Sequence, residues 1–258
     1  MQIINTYKCN FQCAHCLFNC GPKRRGYLSN YDLEKFMEMG CDDFVNYCGG
    51  ETFLHPDWKE QLRIIARYKP SIIRIVTNGY KFLTKNRDIS KTFNDFVDIV
   101  YYLNAMNIQV QLCISNDMYH RKQFSMKRSY RLEELISIVK LELEDKFDNE
   151  SLVFEIDNRG NMTNKFQPLG RAKRFGLYDN NGSCMIDEDF EGNPIIEQTL
   201  DPYGRIYACC NAAGYVGTVN TPKEILLERI SKIKPQKSCL ECAYINKLDR
   251  KRLWEDKL

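Results

Sequence analysis

Along residues 1–180 the hydrophobic positions switch period repeatedly, from the alternation of a strand to the three-and-four spacing of an amphipathic helix. Gln2–Tyr7 is a short apolar strand candidate. Ser29 with Asp32 three residues on resembles a capping box; Leu33, Phe36 and Met37 follow at helical spacing, and Gly40 stops the run. Asp43–Cys48 reads as extended and ends in Gly49-Gly50, whereas Asp57–Tyr68 reads as a helix with Leu62, Ile65 and Ala66 inward, stopped before Pro70. Ser71–Thr77 is a β-branched strand ending at Asn78-Gly79. A helix over Asp88–Asn104, a strand over Ile108–Ser115, a helix over Tyr130–Leu143 and a strand over Leu152–Ile156 continue the series.

Strand–helix repeats of this length predict an α/β fold of parallel strands with crossover helices, closed or nearly closed into a barrel. Such folds carry their chemistry at the C-terminal ends of the strands. The unusual residues fall there: the first cysteines after strand one, Gly49-Gly50-Glu51-Thr52 after strand two, Thr77-Asn78-Gly79 after strand three and Ser115-Asn116-Asp117 after strand four. From about Asn180 the pattern changes. Gly, Asn, Asp and Pro become frequent, and Cys184, Cys209, Cys210, Cys239 and Cys242 appear. This predicts a core domain over 1–180 and a small metal-held module over 181–258.

Composition narrows the chemistry. The chain has 258 residues, 43% hydrophobic and 28% charged, which excludes a disordered protein. Its 37 basic and 34 acidic residues leave a net charge of +3, too little for a dedicated nucleic-acid or anionic-membrane binder. The N-terminus has no signal-peptide pattern, and no apolar run approaches the roughly 18 residues of a membrane span. The expectation is a reduced, cytoplasmic protein whose 12 cysteines serve metal or redox chemistry rather than disulfides.

Cys9, Cys13 and Cys16 are separated by three and then two residues. Three thiolates this close can grip one cubic iron–sulfur cluster and leave one iron without a protein ligand. Spacing alone leaves zinc equally open, with Cys20 or His15 as a further ligand. The surroundings go further. A Cys-x3-Cys-x2-Cys loop with Phe11 two positions after its first cysteine, followed by Gly49-Gly50-Glu51-Thr52, Thr77-Asn78-Gly79 and Ser115-Asn116-Asp117, resembles the radical S-adenosylmethionine enzymes. Thr52 stands where that superfamily's Gly-Gly-Glu-Pro motif has proline.

The resemblance implies a partial (β/α)6, TIM-like barrel over residues 1 to about 175. It implies that Cys9, Cys13 and Cys16 hold a 4Fe-4S cluster whose open iron is chelated by S-adenosylmethionine. Gly49, Gly50, Glu51, Thr52, Asn78, Ser115 and Asp117 would then face the cofactor. Read without the resemblance, the glycines and Asn78-Gly79 are ordinary turns, and Ser115 or Asp117 caps the next segment. One electron cleaves the cofactor, and a 5′-deoxyadenosyl radical abstracts a substrate hydrogen.

Gly204–Cys209 and Cys239-Leu240-Glu241-Cys242 resemble the auxiliary-cluster modules, SPASM or the shorter twitch form, that follow such barrels. Cys184, Cys209, Cys239 and Cys242 would ligate a second, auxiliary 4Fe-4S cluster, with Cys210 spare or in place of Cys209; a structural zinc knuckle is the plainer alternative. Arg171, in a Gly-Arg-Ala stretch, would contact the cofactor carboxylate or is simply a surface arginine. Tyr119 and His120 would position substrate or move a proton at the barrel mouth. Cys48 and Cys113 stand on strands near the active face, where a thiol can return a hydrogen atom.

The expected activity is radical modification of a C–H bond in a ribosomally made peptide, giving a crosslink, thioether or epimerised residue. The same chemistry on a sugar, nucleotide or amino acid is the alternative, and a non-catalytic metal-binding regulator is the reading from another class. Expected partners are the substrate, a one-electron donor such as flavodoxin or ferredoxin, and a separate leader-peptide-binding protein. That last partner is expected because only eight residues precede Cys9.

Overall fold

The computed structural model describes residues 1–40, 43–158, 198–209 and 214–231, together with the backbone of two short strands between 187 and 195. Its first half alternates as the hydrophobic pattern requires: β1 (Gln2–Ile4), α1 (Asn30–Glu38), β2 (Phe44–Cys48), a 3-10 turn (Thr52–Leu54), α2 (Trp58–Arg67), β3 (Ile72–Thr77), α3 (Lys91–Ala105), β4 (Gln109–Ser115), α4 (Met118–Ser125), α5 (Leu132–Glu144) and β5 (Leu152–Asp157). Then come β6 (Asp187–Glu188) and β7 (Pro194–Ile195), which pair antiparallel with each other. β8 (Thr199–Leu200), β9 (Arg205–Tyr207), β10 (Tyr215–Thr218) and a last helix, α6 (Lys223–Ser231), complete the described chain.

Helix starts follow side-chain chemistry. Ser29 accepts the Asp32 amide at α1, Ser90 accepts that of Phe93 at α3, and Asp117 accepts those of Tyr119 and His120 at α4. Asp57, in contrast, makes no side-chain cap at α2. The pattern did not anticipate α4, because its apolar content is a single buried residue, Phe124.

The main sheet has eight strands in the order β10-β9-β8-β1-β2-β3-β4-β5. β1 to β5 are parallel and lie in sequence order, each beside the next. Such a singly wound order, with crossovers of one hand, puts the helices on one face. On that face Ile3, Val45, Tyr47, Ile73, Ile75, Val110 and Leu112 are completely buried and share one core with Leu33, Leu62, Phe96 and Leu135 of the helices. The middle alternate positions are polar. Gln2, Asn46, Arg74 and Gln111 are register partners across four strands, and Asn46 donates to Gln2 at 3.0 Å. The sheet thus has an oily side under helices and a half-buried polar side.

Among the described residues β5 and β10 are the two edges, so the sheet is open there. The sixth strand beside the parallel five is β8, drawn from the region expected in the C-terminal module; it runs parallel to β1. A buried carboxylate fastens this addition. Asp201, with no exposed surface, accepts from Tyr7 Oη (3.1 Å), Arg205 Nε (2.7 Å) and the Tyr203 amide (2.9 Å). Burial and the Asp201 charge push the Tyr7 phenol well above its ordinary range, so its hydroxyl stays a donor. Asp201→Ala strands these donors at a buried site; a loss of about 2 kcal/mol is expected in urea unfolding.

Candidate functional site

Beyond Ile4 the chain does not turn away. It continues beside the end of β2: the Asn5 amide donates to Cys48 O (2.8 Å), that of Gly50 to Thr6 O (2.7 Å) and that of Glu51 to Lys8 O (2.9 Å). Glycine is needed at both positions for space. A Cβ on Gly49 would lie 2.6 Å from Asn5 Oδ1 and 2.7 Å from Thr6 O, and one on Gly50 would run into the Lys8 carbonyl and sit 3.1 Å from Cys9 Cβ. The missing side chains therefore make room for the segment that delivers Cys9.

From there the loop places three thiols together, none in a disulfide. Cys9 and Cys13 are buried and Cys16 is half-buried. Each sulfur is met by a hydrogen-bond donor. Cys9 Sγ accepts from the Phe11 amide at 3.3 Å and Asn78 Nδ2 at 3.7 Å, and Cys16 Sγ accepts from the Cys20 amide at 3.2 Å. The Cys13 side chain hydrogen-bonds His120. Burial, with the charges of Glu51, Cys13 and Cys16, pushes the Cys9 thiol far above its usual range. Sulfurs whose charges oppose ionisation of Cys9 call for a cation, and donors aimed at sulfur are what bound thiolates need. The residues fit a thiolate-held metal cluster.

Glu51 ties this loop to β3. Fully buried, it accepts from Thr77 Oγ1 (2.7 Å), the Asn78 amide (2.9 Å) and the Phe53 amide (3.3 Å). Burial raises its pKa, and these donors partly offset the rise. Asn78, so fixed, reaches back to Cys9 and to Asn10 Oδ1 (3.0 Å). Thr52 uses what proline lacks: its hydroxyl donates to Val76 O at 2.7 Å, while Asn5 Nδ2 donates to its carbonyl at 3.0 Å.

The fourth side is α4. Gln123 accepts the Gln12 amide at 3.0 Å, and Phe124 packs edge-on to Phe11. Asp117, besides capping, lies 2.6 Å from His120 Nδ1 and 3.2 Å from His15 Nε2. Burial alone would raise its pKa; the two histidines outweigh burial and hold the carboxyl far below the carboxylate range. His15 also lies against the Tyr119 ring, 4.7 Å between centroids. The pairing of the two histidines through Asp117 has no local signature, since 104 residues separate them; the sequence offered His15 only as a possible metal ligand and His120 only at the barrel mouth.

Of the remaining expected residues, Cys48 and Cys113 are buried on β2 and β4, and Cys113 occupies the polar face beside Arg74, whose Nη2 donates to its sulfur at 3.0 Å. Ser115 ends the same strand, half-buried. Cys209 is half-buried after β9, its carbonyl accepting from Thr199 Oγ1 at 2.9 Å. Arg171, Cys184, Cys210, Cys239 and Cys242 lie outside the described residues.

No protein-family model matches the chain. It is similar to AlbA, the antilisterial bacteriocin subtilosin biosynthesis protein of Bacillus subtilis strain 168, at 27% identity over 76% of this chain and 41% of AlbA. It is 28% identical to YydG of the same strain, named for peptide biosynthesis, over 80% of this chain and 67% of YydG. A GTP 3′,8-cyclase of Sulfurovum is 34% identical over 88 residues, 31% of this chain and 27% of the cyclase. The solved structure of Streptococcus suis SuiB bound to its precursor peptide SuiA overlaps with a TM-score of 0.43 at 13% identity, covering 95% of this chain and 69% of SuiB, too loose to bear on the site. Over most of its length the chain is thus similar to two proteins named for bacteriocin and peptide biosynthesis.

Gly50→Ala drives a methyl into the Lys8 backbone. The expected cost is about 1–3 kcal/mol in thermal or urea unfolding, with lower iron retention after anaerobic reconstitution.

Proposed function

We propose that this chain is a radical S-adenosylmethionine maturase that modifies a C–H bond of a ribosomally made peptide. The observation that carries the reading is the loop of Cys9, Cys13 and Cys16, three thiols on one turn with a donor on every sulfur. When bound, a 4Fe-4S cluster and S-adenosylmethionine supply one-electron cleavage and a 5′-deoxyadenosyl radical that takes a hydrogen atom from substrate. The chain's own residues hold and shield. Phe11 and Phe124 wall the loop against water, and Glu51 with Asn78 fixes the adjoining strand end. Gly49, Gly50, Thr52, Ser115 and Asp117 border the space for the cofactor. Tyr119 and His120 are placed to orient substrate. Cys113, and Cys48 two strands over, stand on the sheet where a hydrogen atom can be returned to a substrate radical.

Peptide is favoured over small molecule by extent. The relatives named for bacteriocin and peptide biosynthesis match over 76% and 80% of the chain, whereas the nucleotide cyclase matches over 31%, enough for a shared core only. The chain spans 41% of AlbA and 67% of YydG, so the substrate is part of the proposal. The reading also includes a partial barrel formed by the parallel strands, and an auxiliary 4Fe-4S cluster on Cys184, Cys209, Cys239 and Cys242. A one-electron donor completes its partners. No helix of the described residues is long and apolar enough to cross a membrane.

Anaerobically reconstituted protein is expected to hold about two 4Fe-4S clusters per chain. Cys13→Ala should abolish 5′-deoxyadenosine formation and keep the second cluster's absorbance. Turnover that survives Cys13→Ala overturns the ligand assignment, and zinc in place of iron overturns the function.

A further inference from the structure

The loop that carries the thiols is backed by a strap, residues 19–27, whose surface is strongly basic. The strap is sewn to the residues before the first thiol. The Cys9 amide donates to Gly21 O (3.2 Å), that of Gly21 to Tyr7 O (3.3 Å) and that of Tyr7 to Gly26 O (3.2 Å), while Thr6 Oγ1 donates to Gly26 O (2.7 Å). Lys8, Lys23, Arg24 and Arg25, with Pro22 and Tyr27, line an open groove of about 550 Å³. All four cations are exposed. Among the described residues no carboxylate forms an ion pair with any of them; Lys8 lies 5.9 Å from the Tyr27 ring centroid and Arg24 5.4 Å from that of Tyr7. Elsewhere on the surface many charges are paired, as at Arg67–Glu34, Lys91–Asp95 and Arg121–Glu133. Four positive charges on one groove, in a chain whose net charge is only +3, form a concentrated field that no described carboxylate pairs with.

Position says what that field serves. Lys8 precedes Cys9 directly, and a second groove, lined by Gln12, Asn19, Gly21 and Lys23, runs on from the basic one to the thiol loop itself. A protein seated here would stand against the backbone of the thiol loop. We propose that this groove is the docking surface for an acidic one-electron donor protein, which reduces the cluster held at Cys9, Cys13 and Cys16. The inference rests on reading that loop as an iron–sulfur site. The step is a single electron transfer: the donor's reduced flavin or iron–sulfur centre loses one electron, the cluster gains it, and no bond or proton moves. Charge complementarity raises the rate of such a brief encounter without a large interface, and makes it salt-sensitive.

The test compares reconstituted wild-type protein with the triple variant Lys23→Glu, Arg24→Glu, Arg25→Glu and with its Gln counterpart. Each is reduced anaerobically by reduced flavodoxin, an acidic donor, or by photoreduced 5-deazaflavin, which needs no docking. Iron content and circular dichroism check that the variants are folded and loaded. In stopped-flow bleaching at low salt, the flavodoxin rate is expected to fall at least about tenfold in the Glu variant and less in the Gln variant. Its salt dependence should flatten, with the deazaflavin rate unchanged. An unchanged flavodoxin rate overturns the docking site. So does equal loss with both reductants, which makes the strap a support of the loop. A raised KM for an acidic peptide under deazaflavin, with the flavodoxin rate intact, also overturns it by assigning the groove to substrate. Wild-type protein that assembles no reducible cluster overturns instead the reading of the loop, a result the variants cannot mimic.

Discussion

The site depends on how closely two strand ends approach each other. Parallel pairing of β1 with β2 runs past the last regular residues because Gly49 and Gly50 present no side chain to the chain crossing them. That contact sets where Cys9 emerges, and through Cys9 the rest of the thiol loop. It acts as a steric constraint more than as an attraction: the amide bonds to Thr6 and Lys8 form only at a separation that any Cβ would forbid. A glycine pair that in isolation looks like a turn is here a packing device with a chemical consequence.

Around that contact lies a polar network in which the two buried carboxyl groups, of Glu51 and Asp117, are answered by donors. Glu51 is a carboxyl side chain placed where burial raises its pKa, and three donors from β3, the following turn and its own 3-10 turn surround it. Asp117 does the same at the mouth of β4, bridging the helix it caps to the histidine inside the thiol loop. Both carboxylates bind separate segments into one rigid rim. Such preorganisation suits chemistry in which a radical must meet one hydrogen and no water.

Much of this rim was legible in the sequence. The alternation of periods located β1 to β5 and α1, α2, α3 and α5 within a few residues, because each buries an apolar stripe on the same side of the sheet. The cysteine spacing and the strand-end motifs identified the loop. The missing parts share a cause. α4 has almost no apolar stripe, so it leaves no periodic trace, yet it supplies Asp117, His120, Gln123 and Phe124 to the site. The His15–Asp117–His120 grouping is a product of tertiary structure, invisible to spacing. β8, two residues long, is too short to register as a strand and was read as part of a separate module, although it adds to the first sheet. Thr52 stands where the motif has proline, and its hydroxyl shows a use for the departure.

The pairing of β1 with β8 carries a consequence for how the molecule is made. β1 is made long before β8, and its second edge is satisfied by residues almost 200 positions later. Throughout most of synthesis a nascent chain would therefore carry an uncovered strand edge beside an assembled parallel sheet, the kind of surface that recruits stray strands. Fragments ending before Thr199 inherit that exposed edge permanently, even though every residue of the thiol loop is present in them.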